Sequence, residues 1–312
     1  MQSKKEYSVH IAFAAALFLM AGGMMVIPQK DGGRYTLPAF GTAAAVSILL
    51  SVAVLPLVWK IYSCKKNEEK PRAGKVLLYS LTSILLVGAA AYGFSDFVRF
   101  VGDVMLPHTA KFWLAAMFFA ATVLPAVGEK GIVMKFALFA FIFAAAVTVF
   151  FFAASVPQFR IDNISLHNIP EWRAILKQSV PIFLRLFPAH IIIYIYVGVF
   201  FGRRKGRCAV SGAVIGCAAI GICVTNALLL FGAPLAAKLR YPYAAAVSTV
   251  SLGELFTRMD GLSYFVYFAA QTVQTVMCVS VVRELFCRMG GKNTKKIAAF
   301  FLATSLAIGC IL

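Results

Sequence analysis

Apolar runs of 18 or more residues recur from one end of this chain to the other. As a helix, each is long enough to cross a hydrocarbon core of about 30 Å. In lipid every backbone polar group needs a partner within the protein, so such runs must become helices or a closed barrel. The alternating ten-residue pattern of a barrel is absent. Composition agrees: 61% of the residues are hydrophobic and 13% charged, where a soluble domain carries about 45–50% and about 25%. The longest polar stretch, KIYSCKKNEEKPRAGK at 60–75, has the length of a loop. The expected fold class is therefore an all-α polytopic membrane protein, with one transmembrane domain over residues 1–312.

About ten transmembrane helices are expected, near 10–28, 38–62, 76–106, 111–128, 132–155, 179–201, 208–231, 242–256, 261–287 and 297–312. They divide into a first half of about 1–155 and a second half of 179–312, separated by an external loop at 156–178. Pro170 to Gln178 in that loop reads as a short helix lying flat on the surface. The first run continues to Ile27, past the length of a signal-peptide core, so it reads as a retained span. With the N-terminus inside, 15 Lys and Arg fall inside and 12 outside, and Arg99, Arg185 and Arg283 lie within apolar segments. The basic loop at 288–296 falls outside and opposes the scheme. Either it is tolerated there, or the short segment 242–256 is re-entrant and the C-terminal topology flips.

The net charge of +18 thus reads as membrane topology. No basic face with interleaved stacking aromatics appears, so no nucleic-acid partner is expected. The 7 cysteines form no CxxC and the 4 histidines no HxxxH or HExxH, so neither metal nor cofactor is expected. Without GxSxG, HExxH or two carboxylates placed together at mid-depth, the chain does not read as an enzyme.

Two interruptions fall at similar depth. Gly22 and Gly23 lie about 18 Å into the first run at 1.5 Å per residue. Glycine costs about 1 kcal/mol against alanine in a helix interior. In the sixth run Pro181 and Pro188 each remove a backbone donor, and His190 lies about 16 Å deep. The first and sixth runs open the two halves. Discontinuous helices at corresponding positions of inverted repeats mark the substrate site of a secondary transporter. The plainer reading is close helix packing at the glycines and a kink at Pro188. His190 is titratable at mid-depth, and reads equally as a ligand contact or as a neutral histidine bonded to a neighbouring helix. Arg185 reads as snorkelling outward, or as pairing with Asp96 or Asp103.

The residues also resemble a known family: the B subunits of spore germination receptors, the GerAB-like permeases of the amino acid–polyamine–organocation superfamily. YPYAAAVSTVSLGELFTRMDGLSYFVY is similar to the family's Tyr-Pro opening of helix 8 and the Arg-x-Asp turn, here Arg258 and Asp260, before an aromatic helix 9. MAGGMMVIPQ resembles its glycine-bearing first helix, FSDFVRFVGDVMLPHT its third helix and following turn, and NIPEWRAIL its loop before helix 6. The matches run in order over most of the chain. Helix 6 departs, with Pro188, Ala189 and His190 where the family often carries a Gly-x-Glu-like element.

The resemblance implies a LeuT-like 5+5 inverted repeat with helices 1 and 6 broken near the midplane. It implies a nutrient germinant-sensing subunit in the inner spore membrane, N-terminus inside, working with A and C subunits. The implied ligand is a small molecule, commonly an amino acid, in a pocket lined by helices 1, 3, 6 and 8. Here those positions are Ala21, Gly22, Gly23 and Met24; Gly88 and Tyr92; Phe187, Ala189 and His190; and Ser248, Thr249 and Ser251. Arg258 and Asp260 are candidates for the signalling turn. A working amino-acid or small-solute transporter is the alternative that the same architecture allows.

Overall fold

The computed structural model describes residues 3–23, 37–62, 73–106, 109–128, 130–163, 171–202, 205–250, 260–290 and 294–311. Among them no strand occurs. The helices are α1 (Ser3–Gly23), α2 (Leu37–Tyr62), α3 (Ala73–Phe100, continued by a π-turn at Val101–Met105), α4 (Lys111–Val127), α5 (Lys130–Ser155), α6 (Trp172–Phe200), α7 (Gly206–Ala236), α8 (Pro242–Ser248), α9 (Asp260–Arg288) and α10 (Thr294–Ile311). Six of them, α2, α3, α5, α6, α7 and α9, are long and apolar enough to cross a membrane, and α1, α4 and α10 are shorter apolar helices. This is the helical architecture of a polytopic membrane protein.

Small residues set how the helices meet. A side chain built at Gly212 of α7 would lie 2.2 Å from the Ala12 carbonyl of α1, and one at Gly216 would lie 2.9 Å from that of Ala16. The Gly-x-x-x-Gly pair therefore admits backbone-to-backbone contact, the device that holds helices together in lipid, where burial of apolar surface drives little. Gly212 meets Ala12 and Ala15 while Gly216 meets Ala16 and Leu19, so α1 and α7 run parallel. Likewise α2 and α6 run parallel, with Ser51 Oγ 3.2 Å from Tyr194 Oη and Gly198 beside Trp59 and Tyr62. α9 runs antiparallel to α3: Phe97 packs on Phe268 at 5.6 Å between ring centroids, and Phe100 on Tyr264 at 5.3 Å.

These contacts sort the helix ends. At one end Arg288, closing α9, donates to the Tyr62 carbonyl of α2 at 3.0 Å and the Val199 carbonyl of α6 at 2.8 Å. One turn deeper Arg283 donates to the carbonyls of Ala126, Val127 and Gly128, where α4 stops. Lys205, just before α7, bonds Ser8 of α1 at the same end. Among the described residues α8 is the shortest α-helix. Its seven residues rise about 10 Å, a third of a hydrocarbon core.

Of the expected crossing at 242–256, residues 242–248 form α8 and residues 251–256 lie outside the described residues, so what bears on it is the direction of α9. α9 runs antiparallel to α3 where the ten-span scheme makes the two parallel, so Arg288 lies at the same end as Tyr62 and Lys205. It falls there with Lys60, Lys75, Lys205 and Arg207, which makes this the basic end and agrees with the charge rule.

Two further expectations change. The Pro170–Gln178 surface helix is instead the first turns of α6, which begins at Trp172. α6 itself is continuous through Pro181 and Pro188, so it is not broken near the midplane. Pro188 and Leu184, whose carbonyl it leaves without a helical donor, are both exposed on the outer side of the bundle. Gly22 and Gly23 are the last two described residues of α1, and residues 24–28 of the expected first span lie outside the described residues. Within a described helix the non-helical residue is Gly232 of α7, at φ 71° and ψ 162°, a conformation open to glycine, with Pro234 just beyond. Around it the carbonyls of Leu229 and Leu230 are taken up by the Asn163 side chain at 2.9 and 3.3 Å, and Leu229 also by the Arg160 amide at 3.1 Å. The connector after α5 completes that break.

Single cysteines at positions 73 and 287 in an otherwise cysteine-free protein should react with an impermeant thiol reagent from the same side of the membrane, and cysteines at 173 and 238 from the other. Position 287 labelling with 173 would restore the ten-crossing scheme.

Candidate ligand-binding site

α9 is the most enclosed of the long helices, yet it carries Gln-Thr-Val-Gln-Thr at 271–275. Polar side chains in such a place cost free energy unless bonded, and mark function in membrane helices. Gln271 Nε2 donates to the Ala21 carbonyl at 3.0 Å and to Tyr267 Oη at 3.2 Å. Gln271 Oε1, Gln274 Oε1, Thr272 Oγ1 and Thr275 Oγ1 are buried without a hydrogen-bond partner. The two glutamine oxygens converge on Gly93 of α3, where a Cβ would lie 3.0 Å from one and 3.3 Å from the other. Glycine lets α3 pass close enough for both oxygens to face its bare backbone.

The neighbours of Gly93 carry charge. Tyr92 Oη accepts from Arg185 Nη2 of α6 at 3.2 Å. Asp96, one turn along α3, takes a hydrogen bond from Tyr92 and lies in the fields of Arg185, Arg99 and Arg240. Tyr267 lies in the fields of Asp96 and Arg185, so the charged group stands near the glutamines. The result is a polar network of two adjoining parts, one buried between α1 and α9, the other between α3 and α6 with Tyr92 and Arg185 exposed. Phe97 and Phe100 pack on Tyr267 at 6.0 and 5.1 Å and wall it with aromatic rings. Beyond, toward the less basic end, Arg240 Nη1 meets Asp103 Oδ2 at 2.5 Å. Burial pushes the Tyr241 hydroxyl up to about 12, so it stays protonated and donates to Asp103 at 3.2 Å.

Of the residues expected to line a pocket, the structure brings Ala21 and Tyr92 into this network, with Gly22 and Gly23 following directly on Ala21. Gly88 sits on an exposed part of α3 with nothing within 4 Å of its Cβ position. Phe187 stacks on Phe183 at 5.1 Å, and Ala189 is half-buried beside it on α6. His190 is fully buried; its Nδ1–H donates to the Leu186 carbonyl at 2.7 Å, leaving Nε2 to accept from the Cys217 thiol at 3.8 Å. It joins α6 to α7. Ser248 and Thr249 close α8, bonded to the carbonyls of Ala245 and Ala246, and Gln158 donates to Thr249 O. They stand apart from the network. Met24, Ser251 and Arg258 lie outside the described residues, as does the side chain of Asp260, the first residue of α9.

Gln271, Gln274 and Gly93 were not foreseen. The signal was four polar residues within five, at a spacing that puts them on adjoining faces of one otherwise apolar helix. Among the described residues no three His, Cys, Asp or Glu side chains gather as metal ligands would. No protein-family model and no curated protein matches the chain.

Replacing an orphaned buried acceptor by an apolar group of similar shape removes a penalty of roughly 1–3 kcal/mol. Gln274→Leu and Thr275→Val should therefore each raise the melting temperature of the ligand-free protein by about 2–4 °C. A fall in either melting temperature would mean that these atoms are bonded in the folded protein.

Proposed function

We propose that this chain binds a small polar molecule between α1, α3, α6 and α9, within a transporter-like bundle. The observation that carries the reading is the buried polar cluster of α9, whose Gln271 and Gln274 oxygens find no hydrogen-bond partner among the described residues, with the exposed Tyr92–Arg185 pair beyond it. Sites of this kind, few polar groups converging in an apolar enclosure, are those in which membrane proteins hold solutes.

The helix pairing supports an inverted repeat. Exchanging α1, α2, α3 and α4 for α6, α7, α9 and α10 turns the α1–α7 contact into α6–α2, and α3–α10 into α9–α4, all of which pack in this bundle. Each exchanged pair runs in opposite directions. On this reading α9, not the segment at 242–256, holds the third place of the second half, and the site lies among the first and third helices of both halves. The basic end faces the cytoplasm, which puts the N-terminus inside.

The role as the nutrient-sensing B-type subunit of a spore germination receptor, in the inner spore membrane with A and C subunits, rests on the colinear motifs. The ligand is then a germinant, most simply an amino acid. The repeat itself favours a second reading, a working amino-acid or small-solute transporter.

Thermal-shift screening of the purified protein against the amino acids tests the binding reading. At least one should raise the melting temperature, and the rise should vanish in Gln271→Leu. Silence across amino acids and other small polar solutes would end it. Counterflow uptake of a binding compound into proteoliposomes would favour the transporter, and binding without uptake the sensor.

A further inference from the structure

We propose that the open groove between α3 and α6 seats a transmembrane helix of a partner protein, an apolar helix with an acidic or amide side chain at the level of Arg185. Two separate observations single out this groove among the outer faces of the bundle.

The first is polarity at depth. Along α3 the exposed residues Leu77, Leu81, Ile84, Leu85, Gly88 and Tyr92 form one stripe at helical spacing. Tyr92 accepts from Arg185 at 3.2 Å, so the stripe faces the α6 side, where Val180 and Leu184 are also exposed. At 1.5 Å per residue Tyr92 lies about 28 Å along α3 from Ala73 and about 16 Å short of Asp103. The Tyr92–Arg185 pair therefore stands at a depth occupied by hydrocarbon, and both residues are exposed. By contrast, the outward faces of α4 and α5 present Met117, Leu124, Phe139 and Ile142. Charged side chains at such depth are costly against lipid and face protein or water instead. Gly88, one turn from Tyr92, has nothing within 4 Å of its Cβ position, which leaves room for the close approach of a second backbone.

The second observation is the inverted repeat proposed above, on which this half of the argument rests. α5 packs on α1, α7 and α9, with Phe141 stacked on Phe13 at 4.7 Å and Phe143 edge-on to Phe265 at 5.4 Å. The exchange of halves turns α1, α7 and α9 into α6, α2 and α3. No described helix packs on those three together as α5 does on its own set. A helix in that place runs opposite to α5, from the less basic end to the basic end.

The occupant follows from what remains. Every described helix of this chain already holds a place in its own bundle, so a second copy has no helix to offer without undoing itself. The chemistry is set by Arg185, whose guanidinium stays charged and presents a planar fork of donors that a carboxylate or amide oxygen matches.

A photo-crosslinking residue at position 85 of the full-length protein, in the membranes of its own cells, tests this. The expected adduct is with one other protein, through an apolar span of about 20 residues that contains Asp, Glu, Asn or Gln. Positions 124 and 142 should not give it. Gly88→Trp, which fills open space on the protein's own surface, should abolish the adduct while leaving the melting temperature of the purified protein unchanged. Arg185→Glu should also abolish it, and changing the acidic or amide residue of the captured span to Arg should restore it. Crosslinks to lipid alone, to a second copy or within the labelled polypeptide would each overturn the inference, as would an adduct that survives both substitutions.

Discussion

The antiparallel packing of α9 on α3 decides the arrangement of the second half of the bundle. It starts α9 at the end where α7 finishes, with α8, whose seven residues rise about 10 Å, between them in the chain. Only in that direction do Gln271 and Gln274 meet Gly93 while Phe100 meets Tyr264. The same direction delivers Arg288 to the exposed carbonyls ending α2 and α6, and the basic connector beyond it to the basic end. Reversing α9 would strand four polar side chains, an arginine and a loop of lysines at the wrong depths, each at a cost of several kcal/mol in lipid.

The second constraint is the seam between α1 and α7. α1 is buried almost all round from Ile11 to Ala21, and much of its surface is alanine. Such a helix offers few large side chains to interlock, so it is held by close approach instead, at Gly212 and Gly216. That approach fixes the height of α1, and with it the height of the Ala21 carbonyl that Gln271 bonds. The site thus depends on glycines two helices away from its charged groups.

Much of the helix layout was legible because charged or turn residues bound the apolar runs. The expected 38–62, 111–128 and 261–287 lie within one residue of Leu37–Tyr62, Lys111–Val127 and Asp260–Arg288 at each end. The direction of α9 was not legible, since the apolar residues of α8 packed on α7 and α9 look the same in sequence as apolar residues facing lipid. The balance of Lys and Arg carried the answer, but only as one branch of an alternative. The interruption expected in the sixth run was misplaced for a related reason. Proline is not sufficient for a break: Pro188 leaves one carbonyl at an exposed position and α6 continues, whereas Gly232 and Pro234 together turn α7 where Asn163 and Arg160 are at hand to bond the carbonyls. Such partners come from a distant connector, which local pattern cannot reveal. Within the site, Ala21 and Tyr92 were anticipated through helices 1 and 3, but the largest polar contribution came from a helix that had been assigned no ligand role.

The polarity of α9 also changes along its length, and this gives the site a direction. Its successive inward residues Tyr264, Tyr267, Gln271 and Gln274 are polar or amphipathic, and Cys278, Val281 and Leu285 after them are buried apolar residues. Below these, Arg288 clamps the ends of α2 and α6 and Tyr62 bonds Thr82 of α3 at 2.5 Å. A solute entering among the polar residues therefore meets an apolar plug and a bonded knot on the side of the basic end, and only aromatic rings and the exposed Arg240–Asp103 pair on the other. Under the proposed function, ligand arrives from the less basic end. Sensing and transport then differ in one physical step: a sensor need only shift α9 against α1 and α3, while a transporter must also release Arg288 from the two helices whose carbonyls it bonds. Each such charged hydrogen bond is worth roughly 1.5–3 kcal/mol. Passage therefore has to overcome a barrier at the basic end that recognition does not touch.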